Sequence, residues 1–377
     1  MQNRLFFSLL LLGTLLIPLQ SSAKLVIADG GASGYLMENN LPATTLAVAM
    51  EADIIKMNLV LTGDGEVLVF SSPFLEYGSN VAEVFPEKIR EDQHYYVLDF
   101  TIEDIRQLTL TDPKHRFPAD LHPRFEITTL QEQLALLRSL EKSLNRSITI
   151  AVELVKPWLH RKEKRDLTTA VLTILQQYGY TGQNADTYLL SYEVDELQRI
   201  KKELLPQKEM TLKLVQLVDT ADGQENMVEE WGEYHSYNYD WIFSNTGLHA
   251  LARSVTAIAI PKYMLVDAQK KLLLENFVTN AQKLDTMIFT FPVQQDDTSR
   301  LPFTLNPEEE LEFLYFTVGV DGIFTDFCKD ASEFLRNRVE IPAVQAMDSE
   351  TLPVAPTVLM SSDPLQLTSP LESEFEN

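Results

Sequence analysis

Lys24-Leu25-Val26-Ile27-Ala28-Asp29-Gly30-Gly31-Ala32-Ser33-Gly34-Tyr35-Leu36-Met37-Glu38-Asn39-Asn40 is the stretch from which the rest of this chain can be read. Residues 24–28 form a short apolar run that enters a glycine-rich turn, the pattern of a strand and its exit. A helical pattern follows over 41–52 and a second strand over 53–61. Parallel neighbours joined by a helix make a βαβ unit. The alternation then repeats. Strands are expected at 67–70, 147–154, 188–191, 211–218, 241–243, 257–260, 287–291 and 322–325, and helices at 130–144, 161–178 and 194–204 among others. The fold class is therefore α/β, a closed (β/α)8 TIM barrel. Residues 73–126 break the rhythm. They are polar, rich in Asp, Pro and Tyr, and carry one short helix pattern at 102–108, so they read as a small insertion after the second strand.

The two ends differ from the middle. Arg4, an apolar run over 5–16 and Ser21-Ser22-Ala23 make residues 1–23 a secretory signal peptide cut before Lys24. That apolar run is too short for a membrane span. Export is expected, to the periplasm or the medium. The barrel is expected over 24–338. Residues 339–377 hold no Lys or Arg and five prolines, so they read as a disordered acidic tail, either a solvated extension or a docking segment. Cys328 is the only cysteine, so no intrachain disulfide forms despite export. The net charge of −24 comes from 55 acidic against 31 basic residues. Such a surface repels nucleic acid and gives an anionic substrate no long-range attraction.

From Lys24 to about Leu335 the chain resembles the bacterial periplasmic glycerophosphodiester phosphodiesterases. Asp29–Asn40 is similar to the family opening His-Arg-Gly-Ala-(Ser)-Gly-Tyr-x-Pro-Glu-(His/Asn)-Thr. Further matches are Arg116-Phe117-Pro118, Glu153 to Trp158, Asp195-Glu196-Leu197, Leu214-Val215-Gln216-Leu217, Tyr237 to Trp241 and Gly322 to Phe327. The resemblance implies a barrel with a small insertion after its second strand. It also implies a divalent metal, often calcium, two acid–base histidines, and an arginine and a lysine on the phosphate. Each of these stabilises charge that develops when a phosphodiester is attacked.

Position by position, the family's first histidine falls on Asp29 and its arginine on Gly30. The Glu-x-Asp metal pair falls on Lys56 and Asn58. The second histidine falls on Ser71, in Ser71-Ser72. The remaining metal carboxylate is Glu153, which is retained. The family lysine falls on Val155, and a later histidine on Phe289. Lys56 is expected to stand where the metal would, paired with Asp29 and Glu153; the alternative has it reaching solvent. Glu38, Trp158, Phe289 and Phe291 are the expected pocket walls, with Glu38 and Asp326 retained for structure. Aromatic residues of the insertion, including Phe74, Tyr77, Phe85, Tyr95 and Tyr96, either line a cleft or make a small core. His94, His115, His122, His160, His235 and His249 show no metal-ligand spacing. Ser71-Ser72 has no positioned base, Gly30–Gly34 lacks the P-loop lysine, and Cys328 reads as a packing residue. The expected function is a catalytically degenerate, exported member of the family that binds a ligand or partner, with no cofactor. The alternative is an active hydrolase releasing glycerol 3-phosphate and an alcohol with Ca2+.

Overall fold

The computed structural model describes residues 23–112, 116–117, 124–182, 187–274, 276–294 and 299–339. But for one residue at each junction, the expected leader (1–23) and tail (339–377) lie outside these, as do His115, His122 and part of the insertion. The chain divides into two compact units, one reaching Arg336 and the other starting at Asn337.

Twelve strands occur among the described residues: β1 (Leu25–Asp29), β2 (Ile54–Leu61), β3 (Val67–Val69), β4 (Thr128–Thr129), β5 (Thr149–Leu154), β6 (Thr187–Ser191), β7 (Lys213–Leu217), β8 (Met227–Glu230), β9 (Glu233–Ser236), β10 (Ala257–Pro261), β11 (Met287–Val293) and β12 (Gly322–Thr325). Eight of them pair in parallel in the order β1-β2-β5-β6-β7-β10-β11-β12, and β12 returns to β1, which closes the barrel. Helices lie between the strands, so the expected (β/α)8 barrel is the observed fold. β3 and β4 extend β2 as antiparallel strands, and β8 with β9 forms a separate hairpin.

All eight residues of β2 are buried, as befits a strand covered on both faces. Alternation decides which side chain goes where. Ile55, Met57 and Leu59 join the layer between sheet and helices, with Leu130, Leu134 and Leu137 of the helix Leu130–Leu144. Ile54 points the other way, into a barrel interior filled by Ile27, Ala151, Leu190, Val215, Phe289 and Phe324. The insertion supplies a third cluster, with Leu75, Tyr95, Val97, Phe100, Ile105 and Leu108 packed on Val60 and Leu68. Tyr95 therefore belongs to a core, whereas Tyr77 is exposed.

Two expectations about elements are corrected. Residues 241–243 are no strand but part of a 3-10 turn, Asp240–Phe243, outside the sheet, with Trp241 exposed. The single helix expected over 161–178 is two, Pro157–Lys162 and Leu167–Gln177. Lys164 takes a left-handed φ of 58° between them, and the Asp166 carboxylate caps the second by accepting from the Thr169 N–H. The helix expected over 194–204 is present, α-helical to Arg199 and then a π-turn, Ile200–Leu204. The β8–β9 hairpin was missed. Its signal was the dipeptide Trp231-Gly232, both at positive φ, in a two-residue turn.

Candidate functional site at the barrel mouth

Strand register brings the site together. Asp29, the last residue of β1, lies opposite Lys56 of β2, and Asn58 of β2 lies opposite Glu153 of β5. Lys56 and Asn58 are two apart, so both share the inward face with Ile54. The Lys56 Nζ stands 2.7 Å from Asp29 Oδ1 and 2.8 Å from Glu153 Oε2. Asn58 Nδ2 donates to the same Glu153 oxygen at 3.3 Å, and the Asn58 backbone N–H donates to Asn39 Oδ1 at 3.3 Å. Lys56 is 5% exposed. Burial pulls its ammonium toward neutrality, but Asp29 and then Glu153 outweigh that and hold its pKa above the ordinary lysine value. The lysine is therefore a fixed cation, wedged between two carboxylates and 5.9 Å from the centre of the Phe324 ring.

Above this pair opens a cavity of about 470 Å3, at the C-terminal ends of β1, β2, β11 and β12 and under the insertion. Asp29, Glu38, Lys56, Asn58, Ser71 and Tyr77 line it, together with Arg116 and Asp326. Arg116 Nη1 donates to Asp326 Oδ2 at 2.7 Å, and Gln294 Nε2 donates to the same oxygen at 3.0 Å. Each cation of the wall thus faces a carboxylate. The backbone at Gly30 and Gly31 is also committed. Gly30 has φ +67°, and a Cβ there would stand 2.8 Å from the Glu38 Cβ; Gly31 has φ +82°, with the Ala43 carbonyl carbon 2.7 Å from its own Cβ position. A longer side chain at residue 30 meets both strain and a clash.

The other expected residues scatter. Glu38 is on the cavity wall. Phe289 is not: it is 1% exposed, inside the barrel, against Tyr188 and Phe324. Phe291 is half-buried and meets Phe324 edge to face, 5.9 Å between centroids, without lining the cavity. Trp158 lines a different cleft, beside the β8–β9 hairpin. His160 is buried. Its Nε2 accepts from the Leu61 N–H at 3.1 Å and its Nδ1 lies 3.1 Å from the Lys156 carbonyl oxygen, while burial lowers its pKa to about 4. It is a neutral structural group. His94 stacks on Phe74 in the insertion, 4.2 Å between centroids. Burial raises the Cys328 thiol to about 11, in keeping with a packing role. Arg116 was not assigned to the site from sequence, although it sits in one of the matching motifs; a lone arginine in a polar insertion gives no clue to an aspartate 210 residues away.

Residues 31–330 match the Glycerophosphoryl diester phosphodiesterase family. The chain belongs to that family. A glycerophosphodiester phosphodiesterase of Haemophilus influenzae is 32% identical over 332 residues, covering 84% of this chain and 90% of that protein. One from Treponema pallidum is 30% identical over 332 residues, covering 84% and 92%. In shape, a solved structure from Silicibacter pomeroyi, described as a glycerophosphoryl diester phosphodiesterase, matches with a TM-score of 0.60 at 19% identity. It covers 84% of this chain and 95% of that one, and at that identity it speaks for the fold alone.

Proposed function

We propose that this family member binds a ligand at the barrel mouth without hydrolysing phosphodiesters. The observation that carries the reading is the Lys56 ammonium lodged between Asp29 and Glu153. Calcium takes six to eight oxygens in a cage. Here two carboxylates already share a cation, and Asn58 turns an N–H toward one of them. This donor set does not fit a divalent ion, and among the described residues no group of three or more His, Cys, Asp or Glu could hold one. Proton transfer lacks agents too. None of the described histidines lines the cavity, and Ser71 and Gly30 stand where the family carries a histidine and an arginine. The leader pattern supports export to the periplasm. The charge of −24 argues against nucleic acid as a partner. Among the described residues no helix is long and apolar enough to cross a membrane.

The mature protein incubated with glycerophosphocholine, with and without calcium, is expected to release no glycerol 3-phosphate, and calorimetry is expected to give no calcium isotherm. The competing reading is an active phosphodiesterase that yields glycerol 3-phosphate and an alcohol. The likeness to the Haemophilus influenzae protein across 84% of the chain favours it. Calcium-dependent turnover that disappears in Glu153→Ala would establish that reading instead.

A further inference from the structure

The C-terminal face of the barrel carries a second cavity, of about 420 Å3, that shares no lining residue with the first. Its walls follow β5, β6 and β7: the helix Pro157–Lys162, the start of the helix Val194–Arg199, and the β8–β9 hairpin. Three aromatic rings face it, Trp158, Tyr234 and Tyr237. Trp158 and Tyr234 lie 5.5 Å apart between centroids, tilted by 38°, an open pair rather than a closed stack. All three rings are held, Tyr234 by its Oη, which donates to Glu229 Oε2 at 3.4 Å. Trp158 Nε1 donates to the Glu225 carbonyl at 3.2 Å, its backbone N–H donates to the Glu193 carboxylate, and Tyr237 Oη accepts from Trp241 Nε1 at 3.0 Å. All three stay only half-buried. Fixed, half-exposed aromatic faces beside hydrogen-bonding groups are the makings of a pre-organised ligand site.

The charges narrow the ligand. Arg161 lies between the Glu193 and Glu196 carboxylates and is neutralised there, so it offers an anion little. Lys162 Nζ already sits 4.8 Å from the Tyr234 ring centre, so an incoming cation meets repulsion at the face that would attract it. Asp195 and Glu229 add carboxylates to a wall that an acyl chain would have to desolvate. A neutral molecule with one face of C–H groups and an edge of hydroxyls satisfies rings and polar groups together. We infer that this cleft binds a saccharide, with a pyranose ring laid on Trp158 and meeting the edge of Tyr234, whose face Lys162 covers, and its hydroxyls paired with Asp195, Glu229 and Lys162.

The test uses the mature protein titrated with maltose, cellobiose and diacetylchitobiose, followed by calorimetry and tryptophan fluorescence, with choline and glycerol 3-phosphate as comparisons. Saturable binding of at least one disaccharide is expected. Trp158→Ala and Tyr234→Ala should each weaken it by roughly tenfold or more, as loss of a stacking ring does. Tyr234→Phe should retain binding, because it keeps the ring. Tyr263→Ala, at an exposed ring that lines neither cavity, should bind as the parent does. Circular dichroism and melting curves establish that each variant folds. The inference is overturned if no disaccharide saturates, if choline or glycerol 3-phosphate binds this cleft instead, or if binding is kept in folded Trp158→Ala.

Discussion

Lys56 carries the argument about chemistry because a single side chain does two jobs. It neutralises Asp29 and Glu153, and it fills the space between them. Lys56→Met leaves Glu153 unpaired at 8% exposure; with Asp29 one-third exposed and screened by water, the expected loss is about 3 kcal/mol in urea unfolding. Lys56→Glu sets a third carboxylate beside the other two and Asn58. Its melting temperature should rise on adding calcium, while that of the parent stays put. An equal calcium shift in the parent would show that the ammonium is not excluding the ion. His160 makes a separate prediction. Its pKa falls from 6.5 to about 4 on burial, so between those pH values the unfolded chain takes up a proton that the fold refuses. The stability that His160 contributes is complete above pH 6.5 and is lost as pH falls toward 4, on the order of 3 kcal/mol in all. His160→Gln should therefore lose less stability than the parent between pH 7 and pH 4.5 in paired urea titrations.

Both ends of the helix Leu130–Leu144 were readable from sequence, and a local device marks each. Leu130–Leu144 begins at a capping box, in which Thr129 and Glu132 exchange side-chain and backbone hydrogen bonds, and it ends at Asn145 in the left-handed region. Thr129→Ala should cost about 1 kcal/mol by chemical unfolding; no change would mean that packing alone holds the helix start. The expected 161–178 helix split because Asp166 offers its own cap and Lys164 turns left-handed, a break that apolar periodicity alone does not reveal. Trp241–Phe243 has the composition of a strand but no neighbouring edge to pair with, since β7 already pairs with β10. Propensity proposes a strand; a free partner decides it.

The barrel interior gathers side chains from all eight strands, and Phe289 is a fully buried ring among them. The Phe289 ring packs on Tyr188, Phe324 and the bare Cα of Gly322, where a Cβ would come within 2.8 Å of Phe289 Cδ1. Phe289→Ala should cost about 3–5 kcal/mol. Gly322→Ala should destabilise the parent yet cost less in the Phe289→Ala background, where the methyl enters the vacated space. Strict additivity in that cycle would contradict the packing described. At the scale of the whole face, the mouth cavity belongs to β1, β2, β11 and β12 and the aromatic cleft to the segments after β5, β6 and β7, so variants in one are expected to leave binding in the other intact.

By itself the sequence determined the α/β class, the runs that become the eight barrel strands and the place of the insertion. Each of these is written locally, in runs, turns and short motifs. Only the tertiary structure decided that Lys56 meets Asp29 and Glu153 rather than solvent, that Arg116 meets Asp326, that Phe289 turns into the barrel and that Trp158 joins the hairpin's cleft. These contacts depend on strand register and on which face of a strand a side chain takes. Both are set by packing between segments tens to hundreds of residues apart, and no local pattern encodes them.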